Sequence, residues 1–382
     1  MILLRTCFSR YFAAYYCTYR SYTTMSAQGS KPHELRTATE PRQNSFYKLR
    51  VSHIYQVNPT IRLIRFNIFC GCTSLDWSKD NSENLTYNLQ PPLEFSPGQW
   101  LDVHIPNIEH AGGFTITSTP QDASTQENID IAADGNDKHL PYVELAIQYS
   151  PSNPAAKWFW QPIEQILGSY VKVRIGGGFV WPPPNGMALD EIKNIVFVAG
   201  GVGINPLISM ISYIHRTRSC LLPSARLHLL YSTRIPSSST PINMAGPSEA
   251  VNALATDRLS KILFLDRLQQ ISRDWNRAKD NTNSLDLQLF LTNSYLENRG
   301  GNKVNFQSSI LDTDNHITVH SRRIEAGDLH KAVGGSDELR SGTICYVCGP
   351  PVMTDELVKE LETFIGSEDD KTRKRVLYEK WW

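Results

Sequence analysis

With 382 residues, 41% of them hydrophobic, the chain is long enough for two domains, each with its own core. Its 38 basic residues balance 38 acidic ones, so no global charge draws it to nucleic acid or to an anionic membrane. No apolar run approaches the roughly 20 residues that a bilayer-spanning helix requires, and no membrane span is expected.

The first 31 residues carry Arg5, Arg10, Arg20 and Lys31 among Ser, Thr, Tyr and small apolar residues, and the first acid is Glu34. Arginine-rich, hydroxyl-rich and acid-poor is the composition of a mitochondrial transit peptide, and Arg10 breaks the apolar stretch that a secretory signal needs. Residues 1–22 are therefore expected to direct import to the matrix, with a mature end near Thr23; the alternative is an unstructured tail. Up to about Ser45 the chain reads as linker, which makes 1–45 the presequence segment.

Between 46 and 184, β-rich runs at 48–55, 61–69, 100–105, 115–118, 143–149 and 171–175 are separated by Pro, Gly and Asn clusters. This is the pattern of an antiparallel barrel. Pro97-Gly98 suits the central pair of a type II turn that delivers 100–105 into it. The polar stretch 71–92 and the acidic stretch 121–138 read as surface insertions. Asn153-Pro154-Ala155-Ala156-Lys157 has a capping residue, a proline at the first helical position and a lysine one turn in. By itself that is simply a capped helix with a solvated lysine. Pro182-Pro183-Pro184 is a stiff boundary.

From 187 to 382 strands and helices alternate, the signature of a doubly wound parallel sheet. Strands are expected at 194–199, 227–231, 285–291, 343–348 and 376–378, and helices at 206–216, 263–275 and 352–364. The polar, Gly-rich stretch 293–340 reads as an insertion. The first strand runs into Gly200, Gly201, Val202 and Gly203; Asn205 is a good N-cap and Pro206 a good first helical residue. Such a helix start offers backbone amides and a positive dipole end to a diphosphate. The turn departs from the G-x-G-x-x-G dinucleotide fingerprint, because the third glycine position holds Pro206. No acid ends the next strand either; Ser232-Thr233-Arg234 stands there, which disfavours an ordinary Rossmann dehydrogenase.

The seven cysteines, Cys7, Cys17, Cys70, Cys72, Cys220, Cys345 and Cys348, are odd in number and scattered, unlike a disulfide framework. Cys345 and Cys348 lie an odd number of positions apart on one strand, so their side chains point to opposite faces and make no metal or redox pair. No plant-type iron–sulfur spacing is present, so a one-electron partner must be a separate molecule.

Four segments in order, FSPGQWLDV (95–103), GGFTITSTP (112–120), AGGVGINP (199–206) and YVCGPPVM (346–353), resemble the ferredoxin–NADP reductase-like flavoproteins. Within them, the closest likeness is to a mitochondrial oxidoreductase NAD-binding domain-containing subgroup. The resemblance covers 46–382 and implies an FAD-binding barrel followed by an NAD(P)-binding α/β domain. It implies hydride transfer from NAD(P)H to FAD and on to an acceptor on another molecule, in a protein expected to be a monomer.

By that likeness Phe114 lies against the flavin ring, and Thr115 bonds its edge, with Ile116 and Thr117 beside them. Asn153, Ala155, Ala156 and Lys157 meet the diphosphate. The family's phosphate-binding arginine is Gly112 here, so weaker flavin binding than in relatives is expected. Gly200, Gly201, Val202, Gly203, Asn205, Pro206, Gly349, Pro350 and Met353 hold the nicotinamide nucleotide. Ser232 and Arg234 are placed to read a 2′-phosphate, although a solvated arginine in a polar loop is the equal alternative. Cys348 aligns the nicotinamide, or is simply a small buried hydrophobe, and Glu379 is the acid near the transfer point. The terminal Trp381-Trp382 pair either covers the flavin or packs on the barrel. A second reading is a non-catalytic nucleotide-binding descendant acting as regulator or assembly partner, which Gly112 favours and Cys348, Glu379 and the glycine turn oppose.

Overall fold

The computed structural model describes residues 31–68, 92–124, 140–236, 257–277, 283–293, 295–297, 303–305, 317–366 and 374–381. The presequence 1–22, most of both surface insertions, Trp382 and Cys7, Cys17, Cys70 and Cys72 lie outside these residues.

Six strands form the first half: β1 (Tyr47–Asn58), β2 (Ile61–Ile68), β3 (Trp100–His104), β4 (Gly112–Thr115), β5 (Tyr142–Gln148) and β6 (Tyr170–Gly176), in the order β4-β3-β6-β1-β2-β5. A bridge between Ile116 and Leu145, with the Thr117 N–H donating to the Glu144 carbonyl at 2.8 Å, joins the two edge strands. All described pairings among β1–β6 are antiparallel, and closure leaves no open strand edge. Alternation fills the interior: Leu49, Val51, Leu101, Val103, Phe114, Ile116, Leu145, Ile147, Val171 and Val173 share one core. Gly98 takes the turn before β3 at φ +99°, as the Pro-Gly reading requires.

The segment read as linker is docked from Pro32 onward. After the single-turn α1 (His33–Arg36), the His33 ring lies edge-on to Trp100 at 4.7 Å. Asp102, fully buried on β3, takes Arg42 at 2.9 Å, Arg174 at 2.8 Å and His33 at 3.3 Å. Burial alone would raise that carboxyl, but these three partners hold it well below the usual carboxylate range.

Single turns α2 (Pro120–Ala123) and α4 (Ile163–Ile166) and the short α3 (Pro154–Trp158) complete the barrel half. The second half has β7 (Asn194–Gly200), β8 (Arg226–Thr233), β9 (Ser284–Leu291), β12 (Ile317–His320), β13 (Thr343–Gly349) and β14 (Val376–Lys380) in one parallel sheet, order β12-β9-β8-β7-β13-β14. β10 (Tyr295–Glu297) and β11 (Lys303–Asn305) pair as a separate hairpin. Helices α5 (Ile204–Arg216) and α6 (Leu265–Arg277) belong to this half, as do α7 (Ala326–Val333), α8 (Asp337–Ser341) and α9 (Pro351–Ile365). β7 and β13 are buried on both faces, which is why they read as continuous apolar runs. Phe197 and Cys348 face the core shared with α5 and α6, whereas Val198 and Cys345 face that shared with α7 and α9. The two cysteines thus lie on opposite faces, as their spacing requires.

One expectation is corrected. The stretch 293–340 is more than an insertion, since it supplies the edge strand β12, paired parallel to β9, and the helix α7, which buries Leu329 and Val333. A short half-exposed edge strand, ITVH, carries too little apolar signal to stand out from its polar surroundings.

Candidate functional site

The sheet order reverses between β7 and β13, and at such a switch point the loops leaving the two strands diverge and open a crevice at their carboxyl ends. Register places Ala199 beside Cys348, Cys348 beside Glu379, and Gly200 beside Ser232. Four predicted site residues therefore come from adjacent strand ends.

The glycines there divide into two kinds. A methyl group at Gly200 would stand 2.6 Å from Met353 Sδ and 2.8 Å from Pro350 Cδ, and one at Gly203 would overlap the Cys348 carbonyl. Those glycines let the two turns, 200–203 and 348–353, pack backbone to backbone. Gly201 differs: its φ is +55° and nothing lies within 4 Å of where a Cβ would be. The turn is thus open at Gly201, beside the half-exposed Val202.

Asn205 is not the N-cap. The helix starts one residue earlier, at Ile204, with Gly203 in the cap position. Asn205 instead lies in its first turn, and its Nδ2 donates to the Ala146 carbonyl of β5 at 3.1 Å, tying helix to barrel. Pro206 follows it, fully inside the helix and buried.

Cys348 is 0% exposed, and burial, with Glu379 nearby, pushes its thiol well above the ordinary range. A thiol so buried stays protonated and packs as a small apolar group. Desolvation raises the Glu379 carboxyl to about 8, and Trp381 Nε1 donates to its Oε2 at 3.1 Å. The half-buried acid thus keeps its proton to higher pH than an ordinary carboxyl. Trp381 packs against the α/β core. On the other flank Ser232 is half-buried and Arg234, just past β8, is exposed.

The barrel positions are arranged otherwise than the resemblance implies. Phe114 is 8% exposed, part of the barrel core, and edge-on to Phe159 at 5.6 Å, so it presents no free ring face. A methyl group at Gly112 would meet Ala155 Cβ at 2.5 Å and Phe114 at 2.6 Å, so the family arginine has no room here. The amides of Ala155 and Ala156 are already taken by Asn153 Oδ1, at 3.1 and 3.2 Å. Lys157 is exposed and Ile116 is buried in the barrel. Thr117 is spent on Glu144, to whose carbonyl its hydroxyl donates at 3.0 Å. Thr115 is 2% exposed with its Oγ1 unpartnered among the described residues. These residues fit a flavin at its ring edge, through Thr115, and do not fit the diphosphate grip of the resembling family.

Sequence reasoning missed the seam between barrel and α/β half. Buried Glu144 receives Arg267 of α6 at 2.6 Å and Arg65 at 3.1 Å. Burial alone would raise it, but the two arginines hold it below the usual carboxylate range. Ser209 donates to the Ser118 carbonyl at 2.6 Å, and Arg216 reaches Thr119 at 2.7 Å and Asp122 at 2.9 Å. The one available signal was Glu144 itself, an acid inside the apolar run of β5. A cavity of about 390 Å³ lined by His330, Arg340, Glu360 and Phe364 lies at the opposite end of the sheet, before β13 begins, and is unconnected with this chemistry.

No protein-family model matches the chain. It is 27% identical over 362 residues to the Danio rerio protein named oxidoreductase NAD-binding domain-containing protein 1, covering 94% of this chain and 100% of that one. The Homo sapiens protein of that name is 25% identical over 296 residues, 76% of this chain and 72% of its own length. Among solved structures, a Neisseria gonorrhoeae ferredoxin NADP+ reductase with bound FAD and NADP aligns with TM-score 0.51 at 12% identity, over 89% of this chain and 100% of that one. The Amycolatopsis cytochrome P450 reductase GcoB aligns with TM-score 0.50 at 16% identity, over 89% of this chain and 70% of that one. At such identities the structural likeness establishes the fold, and the sequence likeness is to the proteins named oxidoreductase NAD-binding domain-containing protein 1.

Proposed function

We propose that the chain is an NAD(P)H-dependent, flavin-linked reductase of the mitochondrial matrix that delivers electrons to an acceptor on a separate molecule. The observation that carries this is the register at the switch point. Glycine turn, thiol and protonated carboxyl end three adjacent strands, the set a nicotinamide needs for a backbone contact, a packing surface and a nearby proton. Gly201 is open to a diphosphate, Cys348 lies buried under the strand end where a nicotinamide ring would be aligned, and Glu379 holds its proton to higher pH than an ordinary carboxyl. A flavin, when bound, supplies the hydride acceptor and the conversion to single-electron chemistry. Thr115 would meet its ring edge; the lack of a diphosphate grip supports weak binding and an added rather than permanently held flavin.

Orientation at the transfer point is what the side chains contribute, and misplacement of about 1 Å can cost on the order of 10²-fold. Cys348→Ala and Glu379→Ala are expected to slow flavin reduction by NAD(P)H by about that factor while leaving flavin affinity unchanged, measured by stopped-flow absorbance with saturating flavin. Wild-type rates in both variants would remove the pair from the site. Titration of residues 23–382 with FAD and FMN tests the flavin itself; no binding of either at high micromolar ligand favours the non-catalytic nucleotide-binding reading, to which the closed Gly112 notch points. Import is tested by fusing residues 1–22 to a fluorescent protein, and a cytosolic signal refutes the matrix assignment.

A further inference from the structure

Asn205 is 7% exposed, and its two amide atoms have different fates. Nδ2 donates to the Ala146 carbonyl at 3.1 Å, while Oδ1 is buried and has no partner among the described residues. The orientation is fixed by chemistry, because a carbonyl only accepts and so only the NH₂ end of the amide can face it. The helix is therefore locked to the barrel through Asn205 with a bare acceptor left over. Such an acceptor is destabilising when buried without a donor. Asn205 stands in the first turn of the helix, two residues past Gly203, whose backbone lies against the Cys348 carbonyl, and thus at the same end of the sheet as Cys348 and Glu379.

Resting on the nicotinamide reading above, we propose that Asn205 Oδ1 is the acceptor that reads the carboxamide NH₂ of the nicotinamide ring, making Asn205 a specificity-determining residue for that ring. A primary amide brings the N–H donor that this site lacks. A ring carrying a methyl ketone at the same position is nearly the same size and has no donor, so it would leave Oδ1 buried and unpaired. Sites built to bond a ligand N–H discriminate strongly against analogues without one.

The test is calorimetric titration of the protein from Thr23 onward with NADPH or NADH and with the matching 3-acetylpyridine analogue. The wild type is expected to bind the analogue roughly 10- to 100-fold more weakly, the fold-change that corresponds to one unpaired buried acceptor. Asn205→Ala is expected to bring the two within about threefold, by weakening the carboxamide form alone. Ser209→Ala, which removes a different helix-to-barrel bond on the same helix, is expected to leave the wild-type ratio intact, separating recognition from mere docking. Equal wild-type affinities overturn the inference while leaving nucleotide binding in place, and so does an Asn205→Ala variant that weakens both ligands alike. Binding of no nucleotide at all overturns the underlying reading together with it.

Discussion

Two glycine-bearing segments look alike as sequence, Gly112-Gly113 on β4 and Gly200–Gly203 after β7, yet they do opposite things. On β4 the space that a glycine leaves is filled by the protein itself: Ala155 and Phe114 close over Gly112, and the His33 ring occupies the notch at Gly113. After β7 two of the glycines are likewise filled, by Met353, Pro350 and the Cys348 backbone, but Gly201 stays open in a left-handed conformation. A missing side chain allows close approach without saying by what. Only the neighbours decide whether the visitor is a ligand or another part of the chain.

That contrast can be broken at Gly112. Replacing it with the family arginine is expected to destabilise the protein by more than about 3 kcal/mol, because overpacking adds to the cost of a cation pressed into an apolar corner. No gain in FAD affinity should accompany it. Urea denaturation monitored by tryptophan fluorescence, with flavin titration alongside, reads both; wild-type stability with tighter flavin would show that the corner opens on demand.

Within the other turn the contrast sharpens into a pair. Gly203→Ala meets backbone and should cost about 1–3 kcal/mol. Gly201→Ala meets nothing and should cost about 1 kcal/mol, from its φ of +55° alone. If Gly201→Ala nevertheless reduces nucleotide affinity more than Gly203→Ala does, by titration of folded protein, Gly201 is the point of ligand approach; the reverse order would place the ligand elsewhere.

Glu379 gives a pH-dependent test of how closed the strand ends are. Its carboxyl binds a proton more tightly folded than unfolded, so its stabilising share is present below about 4.5 and is lost as pH rises toward about 8. Glu379→Gln mimics the protonated form. The melting temperature of the variant is expected to fall less than that of wild type across that window, by differential scanning fluorimetry, and parallel curves would mean the acid is solvated.

The smallest effect belongs to the exposed flank. Arg234→Ala is expected to raise the KM for NADPH a few-fold relative to that for NADH, since an exposed charge contact is weak. An unchanged ratio would mean that Arg234 does not read the 2′-phosphate.

Most of the architecture could be read directly from residue patterns, because it rests on local periodicity. The alternation of Val171, Val173 and Ile175 and the continuous run of 195–199 fix barrel strand and parallel strand, through what each must bury. Pro97-Gly98 dictated its turn by backbone sterics, and the spacing of Cys345 and Cys348 dictated their opposite faces. Tertiary structure alone decided matters that depend on which surfaces meet. It turned Asn205 from a cap into a bolt to Ala146, folded Phe114 inward against Phe159, and spent the amides of Ala155 and Ala156 on Asn153. It also set Glu144 between Arg65 and Arg267, and Asp102 among His33, Arg42 and Arg174, pairings that span up to 123 residues of chain. Local sequence fixes backbone geometry within a few residues, whereas a buried polar group is satisfied by whatever donor the packing brings to it, however distant in the chain.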